Sequence, residues 1–575
     1  MAVDFLRDPA GGGVGTAVQT ARLSVLDGGP PPRLPFQHIG AALEWAAATW
    51  HGPRLVFEDG SGVRAMSYAD LLAQASATLG GLQATAVNAR PGDVVVLRVD
   101  DGADLLAGVW ACALGGLVAL PVAGRRNGES AEDATARLRA VCAHIDAPWL
   151  VAESDTDLRD VPARMIGNVA DLVSLAAPAA PHTPATDDLT LLLLTSGSTG
   201  RPKAVTLTHR NILTRIAATI ERNELQPSDS TYNWMPLDHI GGLVMFHMRD
   251  VAVGSTQVHA PIAWILQDPI RWLQGMHQHR STTTWAPNFA FRLVADRTGS
   301  LPRQEWDLSA LRYIMNGGEP IKPHVARQFL AILRPYGVPE MAMHPGWGMS
   351  ETSSGVVDCV FDPRVTAGDE RFVSVGAPQP GVTVRVVNRD DAVVPEGVVG
   401  RLQVRGDSIT KGYFQNEETN AAVFTADGWF RTGDLAFIAD GALTVTGRVD
   451  DVVDVGHVAY HGHEIESVVE ELPGVEPSYT VATAVTLAGA EGETLAVFLC
   501  ARAGMAEDAL AGVVRDAVTK RFEIDDVVVV VLARGAVPKT GIGKLRRSLL
   551  REEFESAFTE GAVASRMQVS ALRLP

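Results

Sequence analysis

The stretch Leu191–Val205, "LLLLTSGSTGRPKAV", sets four leucines directly ahead of a loop of threonine, serine and glycine that runs into Arg201, Pro202 and Lys203. Glycines let backbone N–H groups turn toward an anion, hydroxyls donate to phosphate oxygens, and a lysine supplies counter-charge. That is the chemistry of a phosphate cradle behind a buried strand. The spacing is not G-x-x-x-x-G-K-[ST], because Lys203 stands three residues beyond Gly200. A bare "SGSTG" reads as a surface turn, and it is the nine residues "TSGSTGRPK" behind a leucine run that point to phosphate. Six of the 49 lysines and arginines are lysines. A lysine kept in so arginine-rich a chain is a candidate for a place that needs a compact ammonium on a flexible stem. Lys203 lies in the loop, and Lys539 and Lys544 lie in "VPKTGIGKLRRSLL", which otherwise reads as a solvated basic turn before a helix.

The elements that must position these groups follow from length and pattern. At 575 residues the chain exceeds the roughly 100 to 200 residues of one domain, so two or more units are expected. Residues 1–35 are rich in glycine and proline and read as a flexible leader. From 36 to 449, Val- and Leu-rich runs alternate with Ala-rich helical patterns, as in "GDVVVLRV" followed by "GADLLAGVWACALGGLVALPV". This strand, helix, strand order is a crossover unit of a parallel sheet. From 450 to 575 the pattern shortens to helices "HEIESVVEEL" and "EDALAGVVRDAVTKRF" among strands "SYTVATAVTLA", "TLAVFLCA" and "DVVVVVLA". The fold class is α/β: a large N-terminal domain of parallel-type sheets flanked by helices, plus a small mobile α+β C-terminal domain.

A formal net charge of −18 excludes a general affinity for nucleic acid or anionic membrane, so phosphate must meet a local site. Cys112, Cys142, Cys359 and Cys500 are far apart and form no zinc or redox spacing. No apolar run is long enough to span a bilayer, and the N-terminus lacks a signal-peptide pattern. The expectation is a cytoplasmic protein with neither nucleic acid nor membrane as partner.

Further motifs come in a fixed order: "PLDHIGGL" (236–243), "NGGEP" (316–320), "GWGMSET" (346–352), "GRLQVRGDSITKGYF" (400–414), "WFRTGDLA" (429–436), "GRVDD" (447–451) and "PKTGIGK" (538–544). With "TSGSTGRPK" they make the chain, from about 40 to about 555, resemble the adenylate-forming superfamily of acyl-CoA synthetases, nonribosomal peptide synthetase adenylation domains and luciferases. Among subfamilies it looks most like the fatty acyl-AMP ligase-like acid-loading domains of polyketide and nonribosomal peptide assembly lines in secondary metabolism. Such enzymes make an acyl-adenylate from a carboxylic acid and ATP with Mg²⁺, release pyrophosphate, and usually pass the acyl group to a thiol.

The resemblance implies roles residue by residue. Thr195, Ser196, Gly197, Ser198, Thr199, Gly200 and Lys203 would hold the β- and γ-phosphates. Ser350 would touch the α-phosphate, and Glu351 would carry the metal. Trp347 and Gly348 would meet the adenine, with Gly318, Glu319 and Pro320 along its edge. Asp434 would accept from the ribose hydroxyls, with Arg448 beside it. Lys544 would bridge carboxylate and α-phosphate oxygens. His239 would lie near the acid, and Asp450 would mark the hinge of the small domain. Taken singly, Asp434 reads as a turn cap, Trp347 as core, Glu351 as a solvated carboxylate and Lys544 as surface charge.

Two departures bear on substrate and acceptor. Asp238 stands where acyl-CoA synthetases often have an apolar residue, which fits an amino or hydroxy group on the acid, or a carboxylate bonded to backbone or arginine. His457 and Ala459 fall where thiol-transferring relatives have a glycine and a basic or amide residue, and a shift of one residue would restore Gly456. No phosphopantetheine attachment pattern follows the last motif, so a separate carrier protein is the expected acceptor. Acyl-CoA formation, transfer to a non-thiol nucleophile and a catalytically silent nucleotide binder stay open as alternatives.

Overall fold

The computed structural model describes residues 22–125, 129–153, 158–175, 177–196, 202–297, 299, 306–365, 372–455, 458–487, 493–540, 543–559 and 569–573. The leucine run forms the strand Leu189–Ser196, which turns back antiparallel on Pro202–Thr208 with Thr195 opposite Lys203. This hairpin closes one edge of a six-stranded sheet. Beside it lies the expected crossover: Val94–Arg98 and Val118–Pro121 are parallel, joined by the helix Gly102–Gly115. Asp101 caps that helix by accepting from the N–H groups of Ala103 and Asp104, and Gly116 ends it at φ 68°, a left-handed turn that favours glycine. The helix is apolar all round because it is buried all round, from Leu105 to Gly115.

A second sheet runs through 14 strands. In one half, Leu55–Asp59, Thr256–His259, Ser230–Asn233, Thr283–Ala286, Tyr313–Gly317 and Met343–Met349 are parallel. The other half is antiparallel and holds Val382–Val387, Gly400–Gly406, Phe430–Ala439 and Ala442–Arg448. Parallel strands all end on one side, and ligands of open α/β sheets bind outside those carboxyl ends. "PLDHIGGL", "NGGEP" and "GWGMSET" each sit at such an end.

After residue 451 come the hairpin Val452–Val455 with Val458–His461, the helix Gly462–Glu470, and a four-stranded sheet of Val481–Thr486, Glu493–Leu499, Val527–Leu532 and Val569–Arg573. Every residue of Val527–Leu532 is buried, because the helices Glu507–Phe522 and Arg547–Thr559 cover the sheet. Among the described residues no helix is long and apolar enough to cross a membrane.

The flexible leader read over residues 1–35 is corrected at its C-terminal end. Val25–Asp27 pairs antiparallel with Val382–Val387, and the buried Ser24 Oγ donates to the Pro395 carbonyl 371 residues away at 2.9 Å. Three residues cannot display a period, and the partner strand is remote in sequence. Residues 1–21 lie outside the described residues.

Burial pushes His209 and His247 down to about 4. His247 Nε2 accepts from the Trp110 indole at 2.7 Å and its Nδ1 donates to Gln257 at 2.8 Å, so the neutral ring is already satisfied. Unfolded histidine binds its proton near 6.5, so the folded state loses stability as pH falls from there toward 4, by about 1.4 kcal/mol per pH unit per histidine. Urea midpoints at pH 7 and pH 5 should show this loss, with a smaller slope in His247→Gln.

Candidate active site

Lys544 comes from a loop just before the helix Arg547–Thr559, held by Thr540 N–H donating to the Lys544 carbonyl at 2.8 Å and Lys544 N–H donating to Thr540 Oγ1 at 3.1 Å. Its side chain reaches the strand ends of the large sheet. A methyl placed on Gly318, whose φ is +86°, would stand 3.5 Å from Lys544 Nζ and 3.5 Å from Trp285 Cζ2. Burial holds the ammonium below the ordinary lysine range; Glu319, Asp434 and Glu351 oppose the shift and Arg448 adds to it.

His239 follows the strand Ser230–Asn233. Its Nδ1 accepts from Gly241 N–H at 3.1 Å, so the proton sits on Nε2, which is free to donate. Burial, and then Lys544, push the imidazole down to about 3, so it stays neutral beside the lysine. The ring stacks on Trp285, with centroids 6.1 Å apart and planes at 17°. Close approach here demands glycine: a Cβ on Gly241 would lie 2.0 Å from Trp285, and one on Gly242 would lie 2.2 Å from the Pro236 carbonyl. The segment Gly241–Met248 is wound as a π-helix, a form enriched at functional sites. Asp238 is half-buried and has a partner within the protein, in keeping with a bonded carboxylate.

The strand Met343–Met349 runs into a single turn of 3₁₀-helix, Ser350–Thr352. This turn buries Glu351, and the Tyr413 hydroxyl donates to its Oε1 at 2.8 Å. Burial raises the Glu351 carboxyl and the tyrosine opposes the rise. Lys203 Nζ lies 5.2 Å from the Tyr413 ring centroid, and Tyr413 bridges to Val205. Lys203, Tyr413 and Glu351 thus form one line from the hairpin to the carboxylate. Sequence reasoning quoted "KGYF" but gave Tyr413 no part, because its partner is 62 residues away. Trp285 was missed likewise, because its stacking on His239 joins segments that are distant along the chain. Thr195 and the Ser196 backbone are placed in the hairpin; Gly197, Ser198, Thr199 and Gly200 lie outside the described residues.

Trp347 Nε1 donates to Asp434 Oδ2 at 2.9 Å, while Arg448 Nε stands 3.4 Å from Oδ1. Asp434 and Arg448 face each other directly across neighbouring strands. Burial raises the Asp434 carboxyl, with Arg448 and then Trp347 opposing. Each oxygen has one neighbour, and a carboxylate accepts about four hydrogen bonds, so capacity remains for hydroxyl donors. Gly348 cannot carry a side chain, since its Cβ would lie 2.1 Å from the Ser354 carbonyl. Glu319 turns its carboxylate to the Phe289 N–H rather than outward. Asp450 lies in the turn Val449–Asp451, between the last strand of the large sheet and the hairpin that follows. His457 lies outside the described residues, and only the backbone of Ala459 is described.

The arrangement brings a lysine, a neutral imidazole donor and the buried Glu351 to the ends of parallel strands, with Asp434 on the adjoining antiparallel half of the sheet. Residues 43–414 match the profile of the AMP-binding enzyme family. The chain belongs to that family. It is an adenylate-forming ligase, similar to the nonribosomal peptide synthetase apvA of Aspergillus terreus, with 31% identity over 86% of this chain and 55% of apvA. This AMP-binding enzyme therefore spans about half the length of the curated relative. Among solved structures it is similar to McyG A-PCP complexed with phenylalanyl-adenylate, at 32% identity and a TM-score of 0.87, covering 95% of this chain and 86% of that one. The adenylation domain of a keto acid-selecting module bound to keto acyl adenylate aligns at 31% identity with a TM-score of 0.71, covering 87% and 98%.

Proposed function

We propose that this enzyme activates a carboxylic acid with ATP, releasing pyrophosphate and forming an acyl-adenylate, then hands the acyl group to the thiol of a carrier protein. The observation that carries this reading is Lys544, delivered from near the chain's end to Gly318 at the strand ends, beside His239. Attack by a carboxylate on the α-phosphorus brings two anions together. A buried ammonium offsets that charge, and a neutral Nε2–H donates to a carboxylate oxygen without adding a competing charge. Thr195, Ser196 and Lys203, with Gly197, Ser198, Thr199 and Gly200 of the same loop, are proposed to take the β- and γ-phosphates, and Ser350 the α-phosphate. Trp347 and Gly348 would meet the adenine, with Gly318, Glu319 and Pro320 along its edge. Asp434, steadied by Trp347 and Arg448, would accept from the ribose.

Among the described residues no group of three His, Cys, Asp or Glu side chains is arranged to hold a metal. A single buried carboxylate such as Glu351 fits Mg²⁺, a hard cation that takes its other ligands from phosphate and water. Bound there, the ion would neutralise phosphate charge. The residue boundaries 36–449 and 450–575, with Asp450 as pivot, are proposed as the two moving parts. The A-PCP neighbour supports a carrier-protein acceptor, and the keto acyl and phenylalanyl adenylates of the two neighbours support an acid of modest size.

The test is pyrophosphate release with MgATP across fatty, hydroxy, oxo, amino and aryl acids, with a pantetheinylated carrier protein or CoA then added. Release with one acid class, followed by loading of the carrier, is the expected result. ATP binding without release for any acid would instead favour the silent binder.

A further inference from the structure

The helix His209–Arg222 carries a guanidinium that the proposed adenylation does not use. Arg215 is 2% exposed. Its Nη1 donates to Gln379 Oε1 at 2.7 Å, but Nε and Nη2 are buried and meet no acceptor. Among the described residues no carboxylate lies within ion-pairing distance of it. The nearest acidic group, Asp358, is reached through Gln379, whose Nε2 donates to Asp358 Oδ1 at 2.9 Å; Asp358 also faces Tyr313 at 3.5 Å and Arg222 at 3.7 Å. The second guanidinium nearby, Arg249, is paired with Asp250. Burial draws Arg215 down to about 10, with Tyr313 and Asp358 opposing and Arg249 adding to the shift, so it remains charged at neutral pH. A buried charge with two of its three nitrogens unpartnered is a costly arrangement.

The empty donors share one edge. Nε–H and the adjacent Nη2–H form the side-on fork that matches the two oxygens of a carboxylate. Glycines lie on the side of Nη2. A Cβ on Gly355 would stand 3.8 Å from Arg215 Nη2 and 2.6 Å from the Met315 methyl. A Cβ on Gly346 would fall 2.5 Å from the same methyl, and one on Gly317 3.6 Å from it. Next in the chain is Gly318, against which Lys544 rests. Ser354, beside Gly355, has a buried Oγ with no partner. One flexible thioether, ringed by three positions without side chains, therefore lies beside both Gly317, the neighbour of Lys544's Gly318, and Gly355, the neighbour of the arginine, and methionine is the side chain that yields most easily.

We propose that the acid site extends past Met315 to Arg215, and that the preferred substrate is a dicarboxylic acid. One carboxylate meets Lys544 and His239, and the second is received by the Nε/Nη2 fork of Arg215, with Ser354 Oγ donating to it. The inference rests on the proposed adenylation and adds the substrate class.

The test compares pyrophosphate release for the α,ω-dicarboxylic acids from malonic to adipic with release for the monomethyl ester of each. The ester keeps the length and removes the second charge. For the diacid of fitting length the wild-type kcat/KM should exceed that for its ester by about 100-fold. In Arg215→Gln, checked for folding by circular dichroism, this ratio should collapse toward one. Should that variant not fold, Gly355→Ala serves, because its methyl displaces only the end of Met315 and screens Nη2; the ratio should fall there too. Esters turned over as well as diacids at every length would overturn the proposal, as would a ratio that survives in folded Arg215→Gln or in Gly355→Ala. Release with monocarboxylic acids alone would leave adenylation standing and sink the diacid assignment. Release with no acid of any class would sink both.

Discussion

Lys544→Ala should lower pyrophosphate release by about 10²- to 10³-fold while ATP still binds, the loss expected when one preorganised charge is removed from a developing anionic transition state. The lysine's surroundings separate this loss from a folding defect. Its ammonium is buried and held below the ordinary lysine range by desolvation, which Glu319 only partly offsets. A lysine depressed in this way costs the folded state stability at neutral pH, so alanine should leave the urea midpoint unchanged or raise it. The same depression sets a pH signature. In the proposed role the charged form is the active one, and activity should fall on the alkaline side through a value below 10.5, the ordinary lysine pKa. In Lys544→Arg the charge persists at high pH, so whatever rate remains should show no such alkaline limb. Full activity in the alanine variant, or an alkaline limb unchanged in the arginine variant, would remove Lys544 from the reaction.

Several features of this site could be read without coordinates because they are local. "TSGSTGRPK" points to a loop behind a buried strand, and the strand is there as Leu189–Ser196; that it pairs back on Pro202–Thr208, with Thr195 opposite Lys203, was not read from the sequence. The crossover around Gly102–Gly115 shows because one uninterrupted apolar stretch is too long for a strand and too short for two helices. "PLDHIGGL", "NGGEP" and "GWGMSET" converge because their parent strands belong to one parallel run of the sheet. What stayed hidden depends on distant pairings. Trp347 was expected to meet adenine; that its indole also fastens Asp434, 87 residues on, follows only from the meeting of the strand Met343–Met349 with the antiparallel half of the sheet. The π-helix Gly241–Met248 carries no periodic mark of its own. It follows from two glycines letting Trp285 and the Pro236 carbonyl come close. Arg215 sits in a helix whose pattern is plainly amphipathic, and nothing in its neighbours along the chain says that two of its nitrogens lie unpartnered in the core.

Glu351→Gln separates the role of the charge from that of the shape. The amide oxygen can still accept from the Tyr413 hydroxyl, which now lies 2.8 Å from Oε1, and the volume is unchanged. Burial raises the Glu351 carboxyl, so its ionised form is penalised in the folded state and its stabilising share is greatest at low pH, lost as pH rises through the raised value. A neutral amide removes that penalty, so the glutamine variant should be at least as stable as the wild type at pH 7. If Glu351 serves by holding Mg²⁺, kcat/KM at fixed Mg²⁺ should nonetheless fall by about 10²-fold, the scale of a lost charge-stabilising group. Raising Mg²⁺ should recover part of it. Tyr413→Phe is the companion measurement. It leaves the carboxylate in place but removes its donor, so the carboxyl should rise further and the activity should depend more steeply on pH on the acid side, with a smaller loss at high pH. A glutamine variant that is stable and keeps the wild-type Mg²⁺ dependence would assign Glu351 to architecture alone, since the geometry that surrounds it is the same whether the group is charged or not.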